Sequence, residues 1–279
     1  MSEIRIDALL PSEMAKRAEY IGVSKAEAPF LKVFFLSLLA GAFIGMGAIF
    51  ATTVSAGSAG VIPFGVARLL TGSVFCLGLI LVIVGGAELF TGNNLIVMAW
   101  AGRKVTTAQL MRNWVIVYIG NFVGSLGTAL LIFWSKQYTF GGGAVGTTAL
   151  TIANAKSGLE FGQAIALGIL CNALVCLAVW LTFSARSTMD KIAAIIFPIT
   201  AFVAAGFEHS IANMYFIPIG LFIKAFDPTF TANTGLDLTN LTWGNFFINN
   251  LIPVTIGNII GGTVFVAAIY WLVFLRENK

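Results

Sequence analysis

Residues 206–214 read GFEHSIANM and contain the only histidine of the chain. They lie in a run of 32 residues between Lys191 and Lys224 that only Glu208 and His209 interrupt. As one helix such a run would be about 48 Å long, against a hydrocarbon core of about 30 Å. It is equally too short to cross twice. A counterpart stands 120 residues earlier, where residues 86–93 read GAELFTGN. Both stretches share Gly-x-Glu and an asparagine five residues after the glutamate. The earlier one sits in 34 residues between Arg68 and Arg103 that only Glu88 interrupts. Both are read as helices broken at the glutamate.

Four straight spans surround the two breaks. The uncharged runs 33–54, 113–135, 161–185 and about 246–275 each reach the roughly 20 residues that a crossing helix needs. The spans after the breaks also match, with IGNFVG at 119–124 and IGNIIG at 256–261. The order is straight, broken, straight, twice over. An odd number of spans per repeat turns the second repeat upside down. The chain is therefore expected to be an all-α polytopic membrane protein, with six transmembrane helices in two inverted three-helix repeats. The expected boundaries are a cytoplasmic N-terminal segment (1–30), a first repeat (31–136), an outer connecting loop (137–160), a second repeat (161–275) and a cytoplasmic tail (276–279).

Composition agrees. Hydrophobic residues make up 58% of the chain and charged ones only 10%, against about 25% charged in soluble domains. With the N-terminus inside, twelve of the sixteen lysines and arginines face the cytoplasm, and only Arg68, Lys136, Lys156 and Lys224 face out. That bias accounts for the net charge of +4 and removes nucleic acid as a partner. The first 30 residues lack an apolar stretch before a cleavage site, so the first span is expected to target the chain. Cys76, Cys171 and Cys176 all fall in apolar runs and read as small buried side chains rather than disulfide or metal partners. Residues 12–21 read as a short helix capped by Ser12 and ended by Gly22, either lying at the membrane surface or moving as a gate. The GGGAVG of the outer loop lacks the Lys-Ser/Thr of a phosphate loop and reads as a flexible connection.

An ionisable group within a span costs about 2.5–3.5 kcal/mol on insertion scales, so each is a candidate for function. Glu88, Glu208 and His209 qualify. The breaks also leave half-helix N-termini near Thr91 and Ile211, whose free N–H groups favour an anion at the midplane. A glutamate there either accepts those N–H groups or pairs with a lysine. Glu88 reads as a structural element of its break. His209 is titratable where its repeat counterpart, Leu89, is apolar, which favours a functional role over simple packing. Among the asparagines within spans, Asn172 and Asn213 are the better candidates for lining a path. One histidine builds no histidine metal site, and no nucleophile motif accompanies the Glu-His pair. No catalytic residue, metal or cofactor is therefore expected.

IVGGAELFTG (83–92), GILCNALVCLA (168–178) and the GFEHSIANM loop resemble the signature segments of the formate/nitrite transporter family. The resemblance runs over nearly the whole chain, and the two terminal segments resemble the formate-channel branch. It implies an aquaporin-like helical fold, a homopentamer with one pore per protomer, and a place in the bacterial inner membrane with both termini cytoplasmic. It also implies one constriction at Leu79 and Phe202 near Phe75, and another around Leu89, Phe90, Thr91 and Val175. Lys156, Asn172, Glu208, His209 and Asn213 would form a central polar site. Read by itself, Lys156 is only a loop lysine. The implied substrate is formate, with nitrite or hydrosulfide as alternatives and a neutral solute such as glycerol as a remoter one.

Chemistry explains why a histidine belongs there. Moving a bare carboxylate into a medium of dielectric about 4 costs on the order of 20 kcal/mol in the ideal limit. Protonating a carboxylate at pH 7 costs only about three pH units, or roughly 4 kcal/mol. With a reference pKa of about 6.5, His209 is placed to protonate the anion transiently or to hydrogen-bond it past an apolar ring.

Overall fold

The computed structural model describes residues 8–276. Arg5 and Lys279, counted above among the inner charges, lie outside them, as do the other residues of the tail after Arg276. Among the described residues, six helices are long and apolar enough to cross a membrane. In chain order, a first helix, α1 (Pro11–Glu27), leads into α2 (Phe30–Ser55) and α3 (Phe64–Gly85). The chain then breaks, makes a 3₁₀ turn (Gly92–Ile96), a single helical turn, α4 (Val97–Ala101), and the long α5 (Thr107–Trp134). The second repeat runs α6 (Ala144–Ser157), α7 (Phe161–Thr182), α8 (Thr188–Ala205), a break, and α9 (Ser210–Phe226). A short helix (Pro228–Asn233) and the last span, α10 (Trp243–Phe274), complete it.

Helices α2 and α5 pack together in the first repeat, as α7 and α10 do in the second, while α3 packs on α8 between repeats. The matching IGN segments explain the first two contacts. Each is a Gly-x-x-x-Gly pair, the small-residue spacing that lets helices approach closely in lipid. A Cβ on Gly124 would lie 2.0 Å from the Leu38 carbonyl oxygen, and one on Gly261 2.2 Å from that of Ile169. Large apolar side chains such as Phe35, Phe197 and Leu131 remain exposed on the outer faces of the spans, where lipid is the solvent.

Both breaks follow a glycine with positive φ, Gly86 at 75° and Gly206 at 79°. This left-handed residue is the usual stop after a helix and explains the first letter of Gly-x-Glu. The two continuations differ. His209 caps a 17-residue α9, whereas Gly92, Asn93 and Asn94 follow the first break. These are weak helix formers, and the Asn94 side chain bonds back to the Phe90 carbonyl at 3.3 Å. The chain therefore makes a 3₁₀ turn where a half-helix was expected.

Two boundaries need correction. The first helix does not stop at Gly22 and is not capped by Ser12; it starts at Pro11, with Leu10 before it, and runs to Glu27. Gly22 is buried against Ile96 and Ala99, and this docking outweighs the roughly 1 kcal/mol that glycine costs a helix. Residues 144–157, expected within a flexible loop, form α6. The three glycines 141–143 all have positive φ and make the turn before it. Helix α6 packs on α9 much as α1 packs on the turn and short helix after the first break. Each repeat thus contains a fourth helix that precedes its first span.

Candidate functional site

The backbone at each break is held by the asparagine of the IGN segment. Asn121 donates to the carbonyls of Ser37 (2.7 Å) and Glu88 (2.9 Å) and accepts from the Phe90 N–H (2.9 Å). Asn258 does the same with the carbonyls of Gly168 (2.8 Å) and Glu208 (2.9 Å) and with the Ser210 N–H (2.9 Å). Non-helical backbone inside a membrane must find such partners, because lipid offers none.

The glutamates point away from the half-helix N–H groups and pair with lysines. Glu208 Oε1 takes a hydrogen bond from Lys156 Nζ at 2.7 Å, and its Oε2 takes two, from Asn213 (2.7 Å) and Asn250 (3.1 Å). Asn213 also donates to Asn250 Oδ1 (2.7 Å), and Asn250 donates to the Lys156 carbonyl (3.0 Å). The first repeat builds a closely similar quartet. Lys25 Nζ lies 2.8 Å from Glu88 Oε2, Asn93 donates to Glu88 (2.7 Å) and to Asn113 (3.0 Å), and Asn113 donates to the Lys25 carbonyl (3.0 Å). Sequence reasoning missed Lys25, Asn113 and Asn250. The signal was present, since Lys25 stands five residues before the phenylalanine that opens α2 and Lys156 five before the one that opens α7.

Two bonds separate the quartets, the Asn250–Glu208 bond, which Asn113 does not repeat with Glu88, and one at the first lysine. Lys25 also donates to Asn93 Oδ1 at 2.9 Å. The equivalent Asn213 Oδ1 is buried without a hydrogen-bond partner, on a side chain that lines a cavity.

His209 sits between the repeats. Its Nδ1 accepts the Ala212 N–H at 3.0 Å and so caps α9. An accepting Nδ1 places the ring proton on Nε2, which faces Thr91 Oγ1 at 2.9 Å. The ring stacks on Phe202 at 5.9 Å, and Phe202 meets Phe75 edge-on at 5.7 Å. Asn172 holds Thr91 from behind, donating to the carbonyls of Thr91 (3.3 Å) and Asn258 (2.6 Å) and to Asn94 Oδ1 (2.8 Å).

Two vestibules lie on either side of the Phe75–Leu79 turn of α3, and His209 lines one of them. One, of about 270 Å³, is lined by Arg17, Lys25 and Lys191 with Glu88 and ends at Leu79 and Leu89. The other, of about 430 Å³, is lined by Arg68 and Lys156 with Glu208 and Asn213, and ends at Phe75, Phe202 and His209. Each therefore carries one or two more cationic side chains than carboxylates. Phe75 and Leu79 lie one turn apart on α3, so the partition is about 6 Å thick. Arg68 hydrogen-bonds the carbonyls of Val203 and Ala204 (3.0 Å to the latter) at the end of α8, beside Phe202. Phe90 packs on Trp114 and Tyr118, at 5.9 and 4.9 Å, and lines neither vestibule. Val175, Asn172 and Thr91 are fully buried and line neither vestibule. All three cysteines are buried and unbridged.

Comparison with known proteins gives a consistent result. The family model described as formate/nitrite transporter matches residues 12–272. The formate channel FocA of Escherichia coli K12 is 48% identical over 276 residues, covering 98% of this chain and 96% of that protein. Its namesake from Haemophilus influenzae is 43% identical over 262 residues, covering 92% of each. A solved structure described as a pentameric formate channel with formate bound superposes with a TM-score of 0.81 at 45% identity, covering 88% of this chain and 98% of that one.

Proposed function

Given that the chain belongs to the formate/nitrite transporter family, we propose that it is a membrane channel for formate and not an enzyme. It works as a homopentamer in the bacterial inner membrane, with both termini in the cytoplasm. The observation that carries this reading is the pair of cation-rich vestibules separated by one helical turn of apolar side chains at the His209–Thr91 contact. The excess of positive side chains concentrates a small anion in either mouth. The thinness of the partition keeps the dehydrated part of the path to about the length of one formate.

At the partition the permeant exchanges water for the two groups that face each other there. In the neutral ring, Nε2–H donates, and it can leave Thr91 Oγ1 for a carboxylate oxygen without disturbing the α9 cap. Giving up that proton outright would leave an imidazolate. His209 can therefore act as a true acid only after Nδ1 takes a proton, which removes the acceptor for the Ala212 N–H. At neutral pH formate then crosses as an anion held by the Nε2–H bond. In acid the cap opens, the ring lends its proton and formic acid crosses.

Stopped-flow entry of formate, nitrite and glycerol into proteoliposomes tests the assignment. Formate entry well above that of glycerol supports it. Equal entry of glycerol overturns the anion reading, and nitrite entry several-fold faster than formate moves the substrate within the family.

A further inference from the structure

The corner that joins α4 to α5 carries a concavity away from both vestibules. It opens on the same face of the molecule as α1 and is lined chiefly by Trp100, Arg103, Lys104, Thr106, Thr107 and Trp271. Among the described residues two cations and two hydroxyls line it, and no carboxylate does. Glu19 reaches Gly102 from α1 but does not line it. The corner is built rather than loose. Arg103 adopts a left-handed φ of 59°, unusual for a residue with a side chain. Its N–H and that of Lys104 bond the carbonyls of Trp100 and Ala99, both at 2.9 Å. Val105 is buried, Thr106 caps α5, and Trp100 Nε1 donates to Thr107 Oγ1 at 3.0 Å. Among the described residues neither cationic side chain has a hydrogen-bond or ion-pair partner.

Depth in the membrane follows from the tryptophans. Trp100 and Trp271 lie near the ends of two apolar segments, where indole rings settle at the level of lipid headgroups. On the membrane side of Trp271 the exposed Val264, Phe265 and Ile269 form an apolar surface along α10. A phosphate beside Arg103 and Lys104 would have acyl chains lying against that surface. Basic pockets at the cytoplasmic ends of spans favour anionic lipid, by about 1 kcal/mol per lysine or arginine.

We propose that the α4–α5 corner binds the headgroup of an anionic phospholipid of the inner leaflet. The test is native mass spectrometry of the full chain in neutral-detergent micelles containing phosphatidylglycerol or phosphatidylcholine. Wild type is expected to retain phosphatidylglycerol in preference. Arg103→Asn with Lys104→Gln, in which asparagine tolerates the left-handed backbone, lowers that affinity about 30-fold, two charges at about 1 kcal/mol each. Lys16→Gln with Lys32→Gln removes the same charge elsewhere on that face and leaves the affinity within about twofold. Four results would overturn the proposal: no preference in wild type, undiminished binding in the corner variant, an equal loss in the control variant, or displacement of the lipid by millimolar inorganic phosphate.

Discussion

Replacing Lys156 by glutamine is the sharpest perturbation of the second quartet. Glu208 keeps its two amide donors, Asn213 and Asn250, but loses the cation at 2.7 Å. The Lys156 and Glu208 side chains are 18% and 6% exposed, so the carboxylate left behind is nearly out of water. Breaking a buried pair from one side costs about 3–5 kcal/mol. The two remaining donors and the partial exposure of the lysine place this case at the lower end, about 3 kcal/mol. Glu208→Gln costs less, about 1–2 kcal/mol, because the freed ammonium can turn into the vestibule. The substituted amide would also present a donor to at least one of the groups that now donate to the carboxylate. The double variant removes both charges and should be more stable than Lys156→Gln alone, with a coupling of about 2 kcal/mol. Thermal unfolding of the detergent-solubilised protein measures it, at roughly 2–4 °C per kcal/mol. If the two changes add within about 0.5 kcal/mol, the ion pair does not exist as described.

Lys25→Gln should cost less than its counterpart, about 1 kcal/mol, since its pair with Glu88 is more exposed at 28% and 12%; unfolding in the same assay decides. It should also slow formate flux by removing one of the three cations, with Arg17 and Lys191, that line its vestibule. Gly124→Ala drives a methyl into the Leu38 carbonyl and should destabilise the α2–α5 contact by about 1–3 kcal/mol, read from unfolding or from loss of folded protein in gel filtration. Where the turn after α5 meets the end of α9, hydrogen bonds from the Phe230 N–H and the Tyr138 hydroxyl hold the Asp227 carboxyl below its ordinary pKa. Burial and the Asp227 charge push Tyr138 up to about 12. A depressed carboxyl contributes stability above about pH 4 and loses it as pH falls through the folded value. The raised hydroxyl contributes below about pH 10 and loses it as pH rises toward 12. Protection of the amides of residues 138–146 and 228–233, taken relative to intrinsic exchange at each pH, should therefore fall at both extremes, and Tyr138→Phe should weaken both effects.

The spans and the inverted order were legible because charge is so costly in lipid that Glu88 and Glu208 mark the breaks by themselves. The two IGN segments showed the second level of the repeat, although their asparagines gave no hint that they hold the broken backbone. The quartets were less visible. Lys25 and Lys156 lie in polar stretches where a lysine has water as an easy alternative, and only docking of α1 and α6 turns them inward. Helix α6 was hidden because three glycines precede a segment too mixed to show a strong apolar face. The role of His209 as a cap was hidden as well, since a histidine before a helix is a weak N-cap signal.

The central claim is that formate passes the His209–Thr91 contact. Its most direct test compares formate flux into proteoliposomes at pH 5 and pH 7 for wild type and His209→Asn, with a dye reporting internal pH. Asparagine can accept the Ala212 N–H and keep α9 capped, so the variant should fold and assemble. The account predicts pH-dependent formate entry in wild type, with internal acidification at pH 5. It predicts slower entry that no longer responds to pH in the variant. A variant that moves formate at the wild-type rate, with the same pH response, would contradict it.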